Sequence, residues 1–177
     1  MTFAYYDNLS TAQQRVYRMS DDVTALRIRE PHTLAAHVEA LRRALASGAR
    51  DVLERATRQL SDALCERLDV AGAGVEVLEV RPSSDTGELH GLYTLEPGRR
   101  PHIQLWMRTA KHGRVVAFRT YLRTFLHELC HHLDFMLLEL PHSFHTEGFF
   151  KRESSLFHQL VPRPTTSASR RPRATRV

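Results

Sequence analysis

The chain has 177 residues, 42% of them hydrophobic and 25% charged, which suits one folded domain with a real core and is short for two. No apolar run approaches the roughly 18 residues of a membrane helix, and two cysteines, Cys65 and Cys130, exclude a disulfide framework and a CxxC-type zinc ribbon. The net charge of +5 belongs to residues 162–177, whose five arginines stand without an acid; the rest balances 20 basic against 20 acidic residues, which excludes a domain-wide basic face.

Three helical stretches come first. Leu9, Val16, Met19, Val23 and Leu26 mark a helix over about 9–27. Ala35, Val38, Leu41 and Leu45 mark a second, ended near Gly48. Val52, Leu53, Leu60, Leu64 and Leu68 mark a third over 50–68, closed by the AGAG run at 71–74. The period then changes to two. GVEVLEV (74–80), GLYTLEP (91–97) and PHIQLWM (101–107) read as strands, and Pro101 with the short lengths places one of the last two at a sheet edge. A long helix is expected from about 116 to 140, stopped by Pro141, and a last one from about 146 to 161, stopped by Pro162. The fold class is α+β: helical scaffold over 1–72, a small antiparallel or mixed sheet and two helices over 73–161, and a disordered basic tail over 162–177. With no basic start followed by an apolar run, no signal peptide is expected, and the expected location is the cytoplasm.

The long helix carries His127-Glu128-Leu129-Cys130-His131. At about 100° per residue the two histidines lie one turn apart on one face, so both imidazoles can reach one metal ion. Glu128 points about 100° round from His127, outside the ligand set but beside a water at the metal, where a general base belongs. Phe118, Leu122, Phe125, Leu129 and Met136 cluster on the opposite face, which buries the helix and preorganises the pair. His132 faces away and reads as a packing residue; Cys130 reads as a buried thiol.

A catalytic zinc needs a third protein ligand. His145 follows the turn at Pro141 and is the leading candidate. Glu153 competes, because it falls within the apolar stripe Phe149, Leu156, Phe157 and Leu160, where a carboxylate needs a partner or a metal. His142 and Glu147 stay open as well. If His145 is the ligand, Glu153 needs another partner, a histidine or Arg123. Asp134, one turn after His131, is placed to orient that imidazole.

HELCHH followed by SFHTEGFF resembles the SprT-like zinc metallopeptidases over about residues 88–160. The resemblance implies a minimal zincin fold, one Zn²⁺ per chain on His127, His131 and His145, and Glu128 as general base. Thr146 stands where that family has glycine, and the three N-terminal helices have no counterpart in it. The expected activity is hydrolysis of a peptide or protein substrate lying extended along the strand at 102–107. The alternative is a zinc-stabilised, non-catalytic module whose Arg-rich tail contacts nucleic acid or an acidic protein. No membrane partner is expected.

Overall fold

The computed structural model describes residues 3–85 and 87–162. It is mixed α and β, with five α-helices, a three-stranded sheet and a separate two-stranded hairpin. The basic tail expected over 162–177 lies outside the described residues from 163 onward.

Helix α1 (Thr11–Asp22) starts at Ser10, whose hydroxyl accepts from the Gln13 N–H while the Gln13 side chain accepts from the Ser10 N–H. It stops at Asp22, short of the expected 27. Leu26 and Ile28 still enter the core, but on chain outside any helix or strand, where the Gln159 side chain bonds the Leu26 carbonyl and the Ile28 N–H. The apolar spacing therefore persists past the end of the helix. A short 3-10 turn, Ala4–Asn8, precedes α1, and another, Pro31–Leu34, leads into α2 (Ala35–Ser47). Neither turn was expected. Gly48 ends α2 in the left-handed region, and Asp69, also left-handed, ends α3 (Arg50–Leu68) ahead of the glycines expected to close it.

Strand β1 (Gly74–Val80) pairs in parallel with β5 (His102–Arg108), and β4 (Gly91–Thr94) pairs antiparallel with the other side of β5. Strands β2 (Ser83–Ser84) and β3 (Gly87–Glu88) form the hairpin. The sheet is therefore mixed, in the order β1-β5-β4. This corrects the expected substrate position. The strand at 102–107 is central, with its backbone paired on both sides, and cannot accept a further chain. Pro101 sits just before β5 and so removes no ladder N–H; its carbonyl accepts from Gly74 N at 2.8 Å.

One edge of the sheet is closed by side chains. Glu54 accepts from Val77 N, while Arg50 and Arg58 donate to the Val77 and Val75 carbonyls, so α3 satisfies the outer side of β1. Among the described residues no strand pairs with the outer side of β4. Strand β4 packs against α4 (Phe118–Met136).

Val75, Val77, Ile103, Leu105 and Met107 turn one face of the sheet into the core, against Leu122, Phe125, Leu126 and Leu129 of α4. Helix α4 ends at Met136 rather than 140, because the Leu137 and Leu138 N–H groups both return to the Leu133 carbonyl and Glu139 turns left-handed. Helix α5 (Glu147–Leu160) starts at Thr146, whose hydroxyl accepts from Phe149 N at 2.9 Å. Phe149, Leu156, Phe157 and Leu160 bury its expected stripe. No described helix is long and apolar enough to cross a membrane.

Candidate metal centre

The helical spacing of His127 and His131 places both rings on one side of α4, with centroids 5.1 Å apart. The chain leaving α4 reverses at Pro141 and delivers His145 just before α5. Its Nε2 lies 3.0 Å from the Nε2 of His127 and 3.0 Å from the Nε2 of His131. Among the described residues, these three form the group whose donor atoms converge, all within 4.8 Å of one another. Of the four residues open for the third position, His145 is the one whose donor atom converges with the pair.

The other ring nitrogens explain why the lone pairs point inward. His131 Nδ1 lies 2.7 Å from Ser143 Oγ, which donates its own proton to Asp134 Oδ2 at 2.7 Å. A carboxylate only accepts, so Ser143 must accept from His131 Nδ1–H, leaving His131 Nε2 unprotonated. His127 Nδ1 faces Glu153 Oε2 at 3.4 Å, and Arg123 donates to Glu153 Oε1 at 3.0 Å. Glu153 thus holds the back of His127. Its second oxygen meets the expected arginine, which is how a carboxylate within the apolar stripe of α5 is accommodated.

With both Nδ1 atoms donating, His145 meets two lone pairs and has at most one Nε2 proton to offer. At least one of its 3.0 Å contacts is therefore lone pair against lone pair. A bound cation would resolve that repulsion. Three imidazole nitrogens on a tetrahedral zinc stand about 3.3 Å apart, given Zn–N distances of about 2.0–2.1 Å; the two 3.0 Å separations lie near that spacing, and imidazole is a donor such an ion takes. Burial first, then His145 and His127, push the His131 imidazole down to about 3, and burial followed by His127 lowers His145. These rings are held neutral, as ligands must be.

Phe149 forms the floor. Its ring centroid lies 5.0, 4.8 and 5.2 Å from those of His127, His131 and His145, and it is fully buried. Tyr93 of β4 stacks beside His131 and Phe135. Its hydroxyl lies 3.2 Å from Nδ1 of His132, whose Nε2 donates to the Ala71 carbonyl at 2.7 Å. His132 therefore points away from the centre, as its helical angle implies.

Glu128 lies under β4. A Cβ on Gly91 would fall 2.6 Å from its Oε1, so a side chain at the start of this strand would displace the carboxylate from where it lies. Burial pushes the Glu128 carboxyl up to about 7, opposed by His127 and by the Tyr93 backbone N–H. It opens into a cleft of about 390 Å³ that His90, Gly91, Arg123, Thr124, His127 and Glu153 also line. A larger hollow of about 800 Å³, at residues 27–31 and Arg67, shares no residue with this site.

His142 is exposed against Phe144, and Glu147 pairs with Lys151 at 2.8 Å, so neither joins the centre. Cys130 is wholly buried and its thiol is raised well above the ordinary range by that burial, which makes it inert. Asp134 does orient His131, through Ser143 rather than directly. It is fully buried and paired with the fully buried Arg152 at 2.8 Å. Burial raises the Asp134 carboxyl, while Arg152 and Ser143 oppose that. Because arginine stays charged, the ionised carboxylate is the form that leaves no bare cation in the core.

Sequence reasoning missed Ser143, Gly91, Tyr93 and Arg152. Arg152 carried a signal, since it lies three residues after Phe149 and four before Leu156, within the same apolar stripe as Glu153. Ser143 carried none. Comparison of the chain with family models, with curated proteins and with solved structures finds no match.

Proposed function

We propose that this chain is a zinc-dependent metallopeptidase of the SprT-like, minimal zincin type, hydrolysing peptide bonds at the centre formed by His127, His131 and His145. The observation that carries this reading is a conjunction. Three imidazole Nε2 atoms converge within 4.8 Å, and a buried carboxylate one residue from the first ligand lies against a free sheet edge. A purely structural zinc site closes all four positions with protein ligands, whereas three ligands leave one open.

Zinc held there would supply Lewis-acid chemistry: a nucleophilic water at neutral pH and a polarised substrate carbonyl. The protein's own groups supply the rest. Glu128, with a pKa near neutrality in the metal-free chain, accepts the proton of the attacking water and returns it to the departing amine. An extended peptide adds to the outer side of β4, at Gly91–Thr94, in place of the central strand first expected to hold it. The α+β architecture, with its HExxH helix packed on a small mixed sheet, agrees with the zincin-like fold that the motif implies.

The test is Glu128→Gln in the full chain, assayed on casein with zinc measured in the same sample. Retained zinc with cleavage reduced by about 10²–10⁴-fold supports the assignment. Undiminished cleavage would remove Glu128 from its role.

A further inference from the structure

The N-terminal residues have no part in the zinc-binding motif, yet the centre leans on them along two separate routes. The first begins at the C-terminal end of α1. The carbonyls of Ser20 and Val23 are among those a helix end leaves without partners, and Arg152 Nη1 donates to both. Arg152 Nη2 donates to Ser20 Oγ at 2.9 Å and to Asp134 Oδ1 at 2.8 Å. Asp134 accepts from Ser143, and Ser143 from His131 Nδ1, each at 2.7 Å. An unbroken hydrogen-bonded chain therefore runs from the end of α1 to one ring of the centre. The second route reaches His145. Residues 141–146 form no helix or strand, and His145 itself is exposed. The Tyr5 hydroxyl donates to the His145 main-chain carbonyl at 2.9 Å. Ser20 Oγ meets Thr146 Oγ1 at 3.4 Å, and Gly148 N donates to Asp21 Oδ1 at 2.7 Å.

We infer that residues 3–23 are a working part of the metal centre, with Ser143 and Tyr5 as positioning residues that set its metal affinity by fixing His131 and His145. The inference rests on the three-histidine reading above and deepens it. Ser143 fixes the tautomer and tilt of His131; without its hydroxyl, Nδ1 loses its acceptor and the ring is free to turn. Tyr5 ties down the irregular segment that carries His145. A role confined to folding would lower the melting temperature of these variants and leave the affinity of the folded protein unchanged.

The experiment uses the full-length metal-free chain and titrates it with Zn²⁺ against a chelator, and with Co²⁺ while recording visible absorption. The variants are Ser143→Ala, Ser143→Thr and Tyr5→Phe, each checked for folding by circular dichroism. Ser143→Ala is expected to weaken metal binding by about 10–100-fold, the usual cost of losing a group that orients a ligand, and to alter the Co²⁺ spectrum. Ser143→Thr keeps the hydroxyl and restores most of the affinity. Tyr5→Phe, which removes one oxygen at the rim, weakens binding by a smaller factor and remains informative should Ser143→Ala not fold. Wild-type affinity and spectrum in folded Ser143→Ala and Tyr5→Phe would overturn the inference while leaving the three-histidine reading intact. A wild-type chain that bound neither ion would overturn the reading itself, and this inference with it.

Discussion

In the metal-free protein, burial sets the Glu128 carboxyl near pH 7 against an ordinary value of 4.5. Between those values the folded chain holds a proton that the unfolded chain has released. Stability therefore falls as pH rises across that window, by at most ~3 kcal/mol, and is flat above it. Glu128→Gln removes this penalty. Without metal, the variant should melt several degrees above wild type at pH 8, and the gap should close toward pH 4.5; a gap independent of pH would contradict the cause given. Gly91→Ala acts on the same group from the other side. Its Cβ would fall 2.6 Å from Glu128 Oε1, 2.8 Å from its Cγ and 2.9 Å from Thr124 Cγ2. The carboxylate must shift, and on the proposed function roughly 10²-fold loss of casein cleavage with zinc unchanged is the expected result. At this scale the sequence was legible where chemistry is local. His127, Glu128 and His131 share one helical turn, so their geometry follows from 3.6 residues per turn. Gly91 and Ser143 meet that turn only through tertiary packing, and nothing in their neighbours announces it.

Among the elements, α1 and α5 meet at a glycine. A Cβ on Gly148 would run into the backbone carbonyl of Asp21 and would lie 2.6 Å from that of Ser20, with no flexible side chain to yield. Gly148→Ala should therefore part the two helices at about 1–3 kcal/mol, a fall of several degrees in melting temperature. Because Thr146 and His145 lie only two and three residues before it, zinc affinity should fall as well. Unchanged melting would show that the contact is slack. Phe149→Ala removes the floor under the three imidazoles and should cost about 3–5 kcal/mol in thermal or denaturant unfolding. Helix positions were readable from apolar spacing, but α1 was expected to run five residues too far at its C-terminal end because Leu26 is buried on chain outside any helix. Strand order was not readable. Strand β5 pairs with β1, 28 residues earlier in register, and only that parallel pairing makes β5 central and leaves β4 as the edge.

At the scale of the whole molecule, one buried cluster runs from Leu26 to Leu160 and joins α2 and α3 to the sheet and to α4 and α5. Sites built on packed elements hold their geometry better than sites on loops, and two of the three histidines stand on α4. The third stands on irregular chain and is the centre's weakest member. Binding that favours the folded state raises stability with ligand concentration, so added Zn²⁺ should raise the melting temperature and EDTA should lower it. The most direct measurement is zinc per chain, by elemental analysis, for wild type, His145→Ala and Glu153→Gln prepared side by side. Close to one zinc is expected in wild type, with a large loss in His145→Ala and zinc retained at reduced affinity in Glu153→Gln. Full zinc in His145→Ala with loss in Glu153→Gln would move the third ligand to the carboxylate. No zinc in wild type after reconstitution would contradict the metal centre altogether.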